Sequence, residues 1–290
     1  MRLKYVALLS ATLVFASCEF SKSMNKDLIS GLTMKGDGLS CGEVYLSAND
    51  EKISRSSFAY GEKIFLNFDD ISGFEIKDDY VFPGLRMTVL SEAGDTILHY
   101  PDLYAEHVGG FNLSPLVLTT NIIMAEPIHS KSKYKLAVNI WDKQGTGTYS
   151  AFMDFDVKTN DQITVESSNI TFRELYLYSK AQDKVLTKGE AKIDEEIYLI
   201  FEGLDGFQQE NGTIYFGLSI TAKDASGRVI VDEPDLIGDS GVDYSQVSAQ
   251  LSPSFVFSGT AIKNPVTCEV KIWDKKGKNS ISARIYLNIQ

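Results

Sequence analysis

The side chains that could do catalytic or metal chemistry are few in this sequence. Histidine occurs only as His99, His107 and His129, and none of them stands at metal-ligand spacing from another His or Cys. The sequence has no glycine-rich phosphate loop, His-Glu-x-x-His motif or nucleophile elbow. Two carboxylates can meet in space from any positions in a chain, so a carboxylate-based hydrolase is kept as the less favoured alternative. The sequence predicts no cofactor.

Acidic residues cluster in predicted loops. Asp69-Asp70 and Asp78-Asp79 are adjacent pairs, and Asp102 and Asp235 both stand in a Pro-Asp-Leu motif. Loop oxygens of this kind can bind calcium. Their spacing matches no calcium loop, however, and an Asp in a turn more often caps its own backbone. We therefore predict no metal site.

Aromatic side chains are the better candidates for binding. Several alternate with core-facing residues in predicted strands, so they should point outward. Outward aromatics can stack on sugar rings or become buried in a protein partner, and they can equally pack against the rest of the fold. The candidate binding residues are Tyr45, Tyr176, Tyr178, Trp141 and Trp273.

One stretch of sequence organises the chain because it occurs twice. Residues 138–145 read VNIWDKQG and residues 270–277 read VKIWDKKG. Apolar and polar residues alternate before each Trp-Asp pair, and this period of two predicts a half-buried strand. The Asp-Lys-x-Gly that follows predicts a tight turn. We expect its Asp to cap the turn and its Gly to adopt positive φ.

The repeat extends over nearly the whole sequence, at separations from 131 to 138 residues. Each copy contains short strand-like runs separated by Gly, Pro, Asn and Asp, which predicts an all-β fold of two tandem β-sandwiches of one type. The matched segments are 32–34 with 163–165, 43–46 with 174–177, 64–68 with 197–201, 101–103 with 234–236, and 113–115 with 251–253.

The domain bounds follow from the repeat. We place the first sandwich at residues 27–158 and the second at 159–290. The polar link over 158–162 is short, so the two domains should sit end to end with limited freedom. Because the motifs recur and none of the chemistry is peculiar to one copy, we predict that the protein is not an enzyme.

Residues 1–17 have the pattern of a targeting segment. Arg2 and Lys4 precede an apolar run over residues 5–15, and small residues lead into Cys18. That run is shorter than the roughly 20 residues that span a bilayer. The pattern resembles a bacterial lipoprotein signal, in which the cysteine becomes the lipidated first residue. We expect lipidation of Cys18, a flexible tether over residues 18–26 and an outer-membrane location in the cell envelope, with plain secretion as the alternative.

The closing strand, Asp-Lys-x-Gly turn and strand of each copy resemble the last hairpin of bacterial immunoglobulin-like domains. Together with the N-terminal segment, the whole chain is similar to surface lipoproteins of the Bacteroidota type that string such sandwiches together. This resemblance implies immunoglobulin-like domains and a role in adhesion, glycan binding or assembly. It assigns no functional residue.

Charge and cysteine content narrow the classes of partner. A formal net charge of −11 repels phosphate backbones, so nucleic acid is not an expected partner. Beyond Cys18, only Cys41 and Cys268 remain, which predicts no disulfide framework. The sequence favours a non-catalytic envelope lipoprotein, held to the membrane by its lipid, that presents its modules for adhesion or to a protein partner. The alternative is a glycan-binding lipoprotein that uses the outward aromatics.

Overall fold

The computed structural model describes residues 22–27, 31–259 and 261–290. The predicted signal segment and the lipidation site Cys18 lie outside these residues and stay predictions. Residues 22–26, expected to be tether, instead form a strand that pairs antiparallel with Thr33–Asp37. Its polar composition suggested a tether, but an edge strand needs only backbone hydrogen bonds to its neighbour, which composition does not reveal.

The first half of the chain forms two sheets. One has the order β1-β2-β11-β10-β7-β8, with β5 parallel to β11, and the other has the order β4-β3-β6-β9. The strands are β1 (Lys22–Lys26), β2 (Thr33–Asp37), β3 (Ser40–Ala48), β4 (Glu51–Ile53), β5 (Ser57–Ala59), β6 (Lys63–Ser72), β7 (Pro83–Ser91), β8 (Thr96–Tyr100), β9 (Leu118–Ile123), β10 (Ser132–Asp142) and β11 (Thr148–Lys158).

The second half repeats this plan. Its elements are β12 (Ile163–Ser168), β13 (Glu174–Ser179), β14 (Lys184–Val185), β15 (Glu190–Ala191), β16 (Glu196–Glu202), β17 (Gln209–Glu210), β18 (Thr213–Ile214), β19 (Phe216–Lys223), β20 (Val229–Glu233), β21 (Val242–Asp243), α1 (Tyr244–Ala249), β22 (Gln250–Leu251), β23 (Ser254–Val256), β24 (Val266–Asp274) and β25 (Ser280–Ile289). One sheet has the order β12-β25-β24-β19-β20, with β15 parallel to β25. In the other, β16 pairs with β13, β22 and β23, while β17, β18 and β21 form a small third sheet. Among the residues that the structure describes, no helix is long and apolar enough to cross a membrane.

Both halves have the strand arrangement of an immunoglobulin-like β-sandwich. In the first, β3, β6 and β9 form one layer and β8, β7, β10 and β11 form the other, with β5 crossing over to run parallel to β11. In the second, β13, β16 and β22 with β23 match the first layer, and β20, β19, β24 and β25 match the other. Antiparallel layers joined by such crossing connections define this fold class. The prediction of an all-β fold is confirmed.

Each sandwich has its own hydrophobic core. One cluster of buried residues runs from Leu32 to Val157 and the other from Ile170 to Ile289. The inward rows expected on β10 and β24 are buried, including Cys268 on β24, where burial raises the pKa of the thiol to about 12. A buried thiol of this kind behaves as a small apolar side chain. The domain bounds at 158 and 159 stay predictions.

The repeated Asp-Lys-x-Gly turn ties the two layers of each sandwich together. The Asp142 carboxylate accepts a hydrogen bond from the amide two residues on at 2.9 Å and another from the Glu75 amide at 2.6 Å. In the second sandwich Asp274 accepts from the amide two residues on at 2.9 Å and from Gln208 at 2.8 Å. Both Asp side chains are buried. The turn Asp therefore caps its own hairpin, as expected, and also fixes the loop that follows β6 or β16.

The glycine of this turn has a different role from the one expected. Positive φ was predicted for Gly145 and Gly277, but neither residue adopts it. A Cβ atom at Gly145 would lie 2.6 Å from Asp142 Oδ2, and one at Gly277 would lie 2.7 Å from Asp274 Oδ2. Glycine is needed because the buried carboxylate lies against it.

The two sandwiches meet end to face, and the prediction of an end-to-end arrangement is wrong. Tyr60, in the loop before β6, and Tyr176 on β13 each donate a hydrogen bond of 2.9 Å to Glu202 at the end of β16. The Tyr60 and Tyr176 rings lie 5.5 Å apart, and burial raises the pKa of both phenols. Tyr176 and Glu202 belong to the outward row of their sheet, so the end of the first sandwich lies on a sheet face of the second.

A second set of contacts extends this junction. The Ser130 amide donates to Glu174 Oε1 at 3.0 Å, and Arg173 pairs with Glu126 at 3.1 Å. The Glu174 side chain is 2% exposed and its Oε1 lies 3.5 Å from His129 Nδ1. The length of the five-residue link does not predict this geometry. The geometry depends on which outward side chains of the second sandwich lie under the end loops of the first.

Candidate functional site

The two tryptophans proposed as binding residues each lie on a glycine of the neighbouring strand. A Cβ atom at Gly84 would lie 2.1 Å from Trp141 Cε2, and one at Gly217 would lie 2.0 Å from Trp273 Cζ2. The Arg86 guanidinium lies 5.6 Å from the Trp141 ring centroid. Both indoles are half-buried in this way, so the repeated Trp packs on its own sheet.

Two of the candidate tyrosines make local contacts. Lys52 Nζ lies 4.0 Å from the Tyr45 ring centroid while pairing with Glu43 at 2.6 Å. The Tyr178 hydroxyl donates to Asp183 at 2.6 Å, and this carboxylate raises the pKa of the phenol. Both rings stay half-buried.

The five candidate aromatics do not share one surface. Tyr45 lies on β3, Trp141 on β10, Trp273 on β24, and Tyr176 and Tyr178 on β13, which places them on four different sheets. Tyr176 is in addition part of the junction between the sandwiches. Stacking on a sugar chain needs rings that are exposed together on one face. Their role in glycan binding stays a prediction, and their observed contacts are within the fold.

The repeated Pro-Asp-Leu loops are held by a lysine of the closing hairpin. Asp102 pairs with Lys143 at 2.8 Å, and Asp235 pairs with Lys275 at 2.6 Å. Burial alone would raise the pKa of Asp102, but Lys143 and the backbone amides at its Oδ1 atom hold that pKa below its usual value. The Lys275 ammonium lowers the pKa of Asp235. Each Asp is thus a loop cap with a lysine counter-charge, and within the described part of the chain no group of three or more His, Cys, Asp or Glu side chains could hold a metal ion.

The two sandwiches differ at the end where β6 and β16 finish. The pairing of β6 with β9 and of β16 with β22 shows which residues of the two copies correspond there. Phe68 of β6 lies opposite Leu118, and the equivalent Phe201 of β16 lies opposite Leu251. Residues 104–117 therefore correspond to residues 237–250, with equal length. The predicted match of residues 113–115 with 251–253 is wrong. Both segments read Leu-Ser-Pro, but the strand pairing aligns residues 113–115 with positions five residues earlier than 251–253 in the second copy.

In the second sandwich this connection closes the end. It forms β21 and α1, and Val247 of α1 is 3% exposed. The Ser248 carbonyl accepts a hydrogen bond from Gly203 at 2.8 Å, and the Tyr244 hydroxyl donates to Asp205 at 2.9 Å. Phe207, which packs on Phe216, is 7% exposed.

In the first sandwich the same end is open beside Leu116, which is 5% exposed and whose carbonyl accepts a hydrogen bond from the Ile71 amide at 3.0 Å. A cleft of about 470 Å³, which we call the Ile76–Leu113 cleft, separates the loop after β6 from residues 111–116. Ile76 is 69% exposed and Leu113 is 59% exposed. The cleft is lined by Asp70, Ile71, Ser72, Gly73, Phe74, Ile76, Asp79, Val81, Phe111, Asn112, Leu113, Ser114, Pro115 and Leu116.

The segment at the Ile76–Leu113 cleft has more carboxylates than its equivalent in the second sandwich. Asp70, Glu75, Asp78 and Asp79 lie in the segment 70–79, with Lys77 as its one cation, and Asp70 and Asp79 line the cleft. The equivalent segment 203–212 has two carboxylates, Asp205 and Glu210, and the positions equivalent to the four acids of the first sandwich are uncharged. The pairs are Asp70 and Gly203, Glu75 and Gln208, Asp78 and Asn211, and Asp79 and Gly212.

The sequence shows the acidic pairs but not the cleft. Motifs that recur in both copies do not mark a feature that only one copy has. The signal that could have found the cleft is the opposite one, positions where the copies differ, such as apolar Ile76 against Gln209. Exposed apolar side chains that lie together can mark a binding surface, and Ile76 and Leu113 line the same cleft.

Comparison with known proteins gives no family. No protein-family model matches the chain, and no curated protein matches it.

Solved structures that resemble the chain do so at low similarity. They include dimeric latent PorU from Porphyromonas gingivalis, with 12% identity, 87% of this chain and 20% of that chain covered and a TM-score of 0.27. Fibronectin(III)-like modules of Clostridium thermocellum CbhA show 12% identity, 84% and 94% coverage and a TM-score of 0.21. A structure called pT26-6p shows 8% identity, 92% and 65% coverage and a TM-score of 0.24. The chain spans only about a fifth of the PorU chain. The assignment of both halves to the immunoglobulin-like β-sandwich class is based on their own strand order.

Proposed function

We propose that this chain is a non-catalytic cell-envelope lipoprotein that presents tandem immunoglobulin-like sandwiches to a protein partner, with the open end of the first sandwich as the binding face. The observation that carries the proposal is the difference between equivalent ends. The second sandwich covers its end with α1, whereas the first leaves Ile76 and Leu113 in solvent. Exposed apolar surface beside polar residues is typical of protein–protein contacts.

The position of the cleft suits such a role. β6 begins at Lys63, next to the loop that contacts the second sandwich, and ends at Ser72 in the Ile76–Leu113 cleft. At roughly 3.3 Å per residue, a strand of this length places the cleft about 30 Å from the junction. The lipid anchor expected at Cys18 would hold the protein at the membrane, and the cleft would remain free of the second sandwich.

The proposal is tested by photo-crosslinking in cells that make the full chain. A photoreactive amino acid replaces Ile76 in one strain and the equivalent Gln209 in another. We expect a discrete protein adduct from position 76, suppressed by excess untagged protein, and none from position 209. Equal adducts from both positions, or none from position 76, would overturn the proposal.

A further inference from the structure

The second sandwich shows what kind of group fits the end of this fold. There, α1 of the same chain lies over the end of β16 and places one apolar side chain, Val247, in the core. Its backbone is fixed by the hydrogen bond from Gly203 to Ser248. A single short turn of chain with one apolar side chain is therefore enough to close this end of the sandwich.

The first sandwich has the same end without the helix, and its connection buries Leu116 instead, whose carbonyl accepts a hydrogen bond from the Ile71 amide at 3.0 Å. Ser114 stands where Val247 stands and is exposed, and Phe74 is half-buried where Phe207 is buried. Closing the cleft would remove the exposed surface of Ile76 and Leu113 from water. Removing apolar surface of this kind from water favours binding.

The charges at the rim add a requirement. None of the four rim carboxylates, those of Asp70, Glu75, Asp78 and Asp79, forms an ion pair with another of the described residues. An apolar segment flanked by acidic residues would be repelled, and one flanked by Lys or Arg would be attracted. A partner with basic residues also approaches a protein of net charge −11 faster.

We infer that the Ile76–Leu113 cleft binds a short segment of a partner protein that buries an apolar side chain between Ile76 and Leu113 and carries Lys or Arg beside it. The segment lies beside Leu116, over the end of the sandwich that α1 covers in the second. This inference rests on the proposed function and adds the chemistry of the partner. The apolar side chain supplies most of the affinity, and the basic residues supply orientation and specificity.

The test is a selection of random twelve-residue peptides displayed on phage against the full chain. Enriched peptides are synthesised with a fluorophore and titrated by anisotropy at low and high salt. Three variants are compared with the wild type: Leu113→Asp, the double variant Asp70→Asn with Asp79→Asn, and a control pair at exposed acids of the second sandwich, Asp232→Asn with Glu233→Gln.

The inference expects enriched peptides that pair an apolar residue with Lys or Arg. Their binding should be abolished by Leu113→Asp, weakened about three- to tenfold by the rim variant and by added salt, and unchanged in the control pair. Peptides that need Leu113 but lack basic residues would overturn the inference and leave the proposed function standing. Failure to enrich any peptide that depends on Leu113 would also overturn it, and crosslinking at position 76 then decides the proposed function separately.

Discussion

Phe74 and Phe207 occupy equivalent positions, directly after Gly73 and Gly206 in the loops that follow β6 and β16, yet only Phe207 is buried. The connections at this end also differ. In the second sandwich the connection forms α1, whose Val247 is 3% exposed, and in the first the connection of equal length has no helix and lines the Ile76–Leu113 cleft. One fold thus appears in a closed and an open form within a single chain.

The seating of α1 can be tested by removing its one buried side chain. Val247→Ala should lower the free energy of unfolding of the second sandwich by about 2 kcal/mol, because it leaves a cavity in a packed site. Ser114→Ala, at the equivalent exposed position of the first sandwich, should leave stability unchanged. Urea unfolding followed by tryptophan fluorescence measures both, since each sandwich contains one tryptophan. Equal effects of the two substitutions would contradict the difference between the ends.

The contact between Trp273 and Gly217 predicts intolerance to the smallest side chain. Gly217→Ala should destabilise the second sandwich by about 1–3 kcal/mol, because the new Cβ would overlap the indole ring and force it off the sheet. Gly109→Ala is the control, since a Cβ there meets no atom within 4 Å. The urea midpoint reports the stability and the tryptophan emission maximum reports the position of the ring. An unchanged midpoint in Gly217→Ala would contradict the close packing.

The end-to-face junction predicts that Glu202 fixes the angle between the sandwiches. Glu202→Ala removes the acceptor of both the Tyr60 and the Tyr176 hydroxyls. Hydrogen bonds to a charged group contribute about 1.5–3 kcal/mol each, so their loss should let the sandwiches move apart. Small-angle X-ray scattering should show a larger radius of gyration, while Glu210→Ala, which removes an exposed pair with Lys276, should not. A scattering curve identical to wild type would contradict this geometry.

Asp224 should give the second sandwich part of its resistance to acid. The Ser226 hydroxyl and amide, together with Arg228, lower the pKa of Asp224 to about 2. Because the folded pKa is below the unfolded value of about 3.9, the carboxylate stabilises the fold fully above pH 4, and this stabilisation is lost as the pH falls towards 2. Asp224→Asn should therefore have a lower urea midpoint than wild type at pH 7, with the gap closing between pH 4 and pH 2. A gap that is constant with pH would show that the charge of Asp224 is not responsible.

Local pattern predicted the strands well because strand periodicity depends on neighbours in sequence. The inward rows of β10 and β24, and the capping role of Asp142, follow from alternation and turn chemistry alone. The role of Gly145 did not, since its neighbour is the Asp142 carboxylate and not the turn backbone. The strand over residues 22–26 was missed because its pairing with β2 does not depend on an apolar pattern.

The candidate site was less accessible to sequence reasoning than the fold. Trp141 and Tyr176 were expected to point outward, and whether an outward ring is free depends on which glycine or domain lies beside it. The Ile76–Leu113 cleft depends on the conformation of residues 104–117. The equivalent residues 237–250 have the same length but form β21 and α1.

The central claim is that the open end of the first sandwich is the face that meets the partner. Its most direct test is competition against the adduct formed from position 76, with untagged full-length chain as the competitor. Wild type and Leu236→Asp, which alters an exposed leucine of the second sandwich, should suppress the adduct equally, and Leu113→Asp should fail to suppress it. If Leu113→Asp competes as well as wild type, the partner does not use the cleft and the claim is wrong.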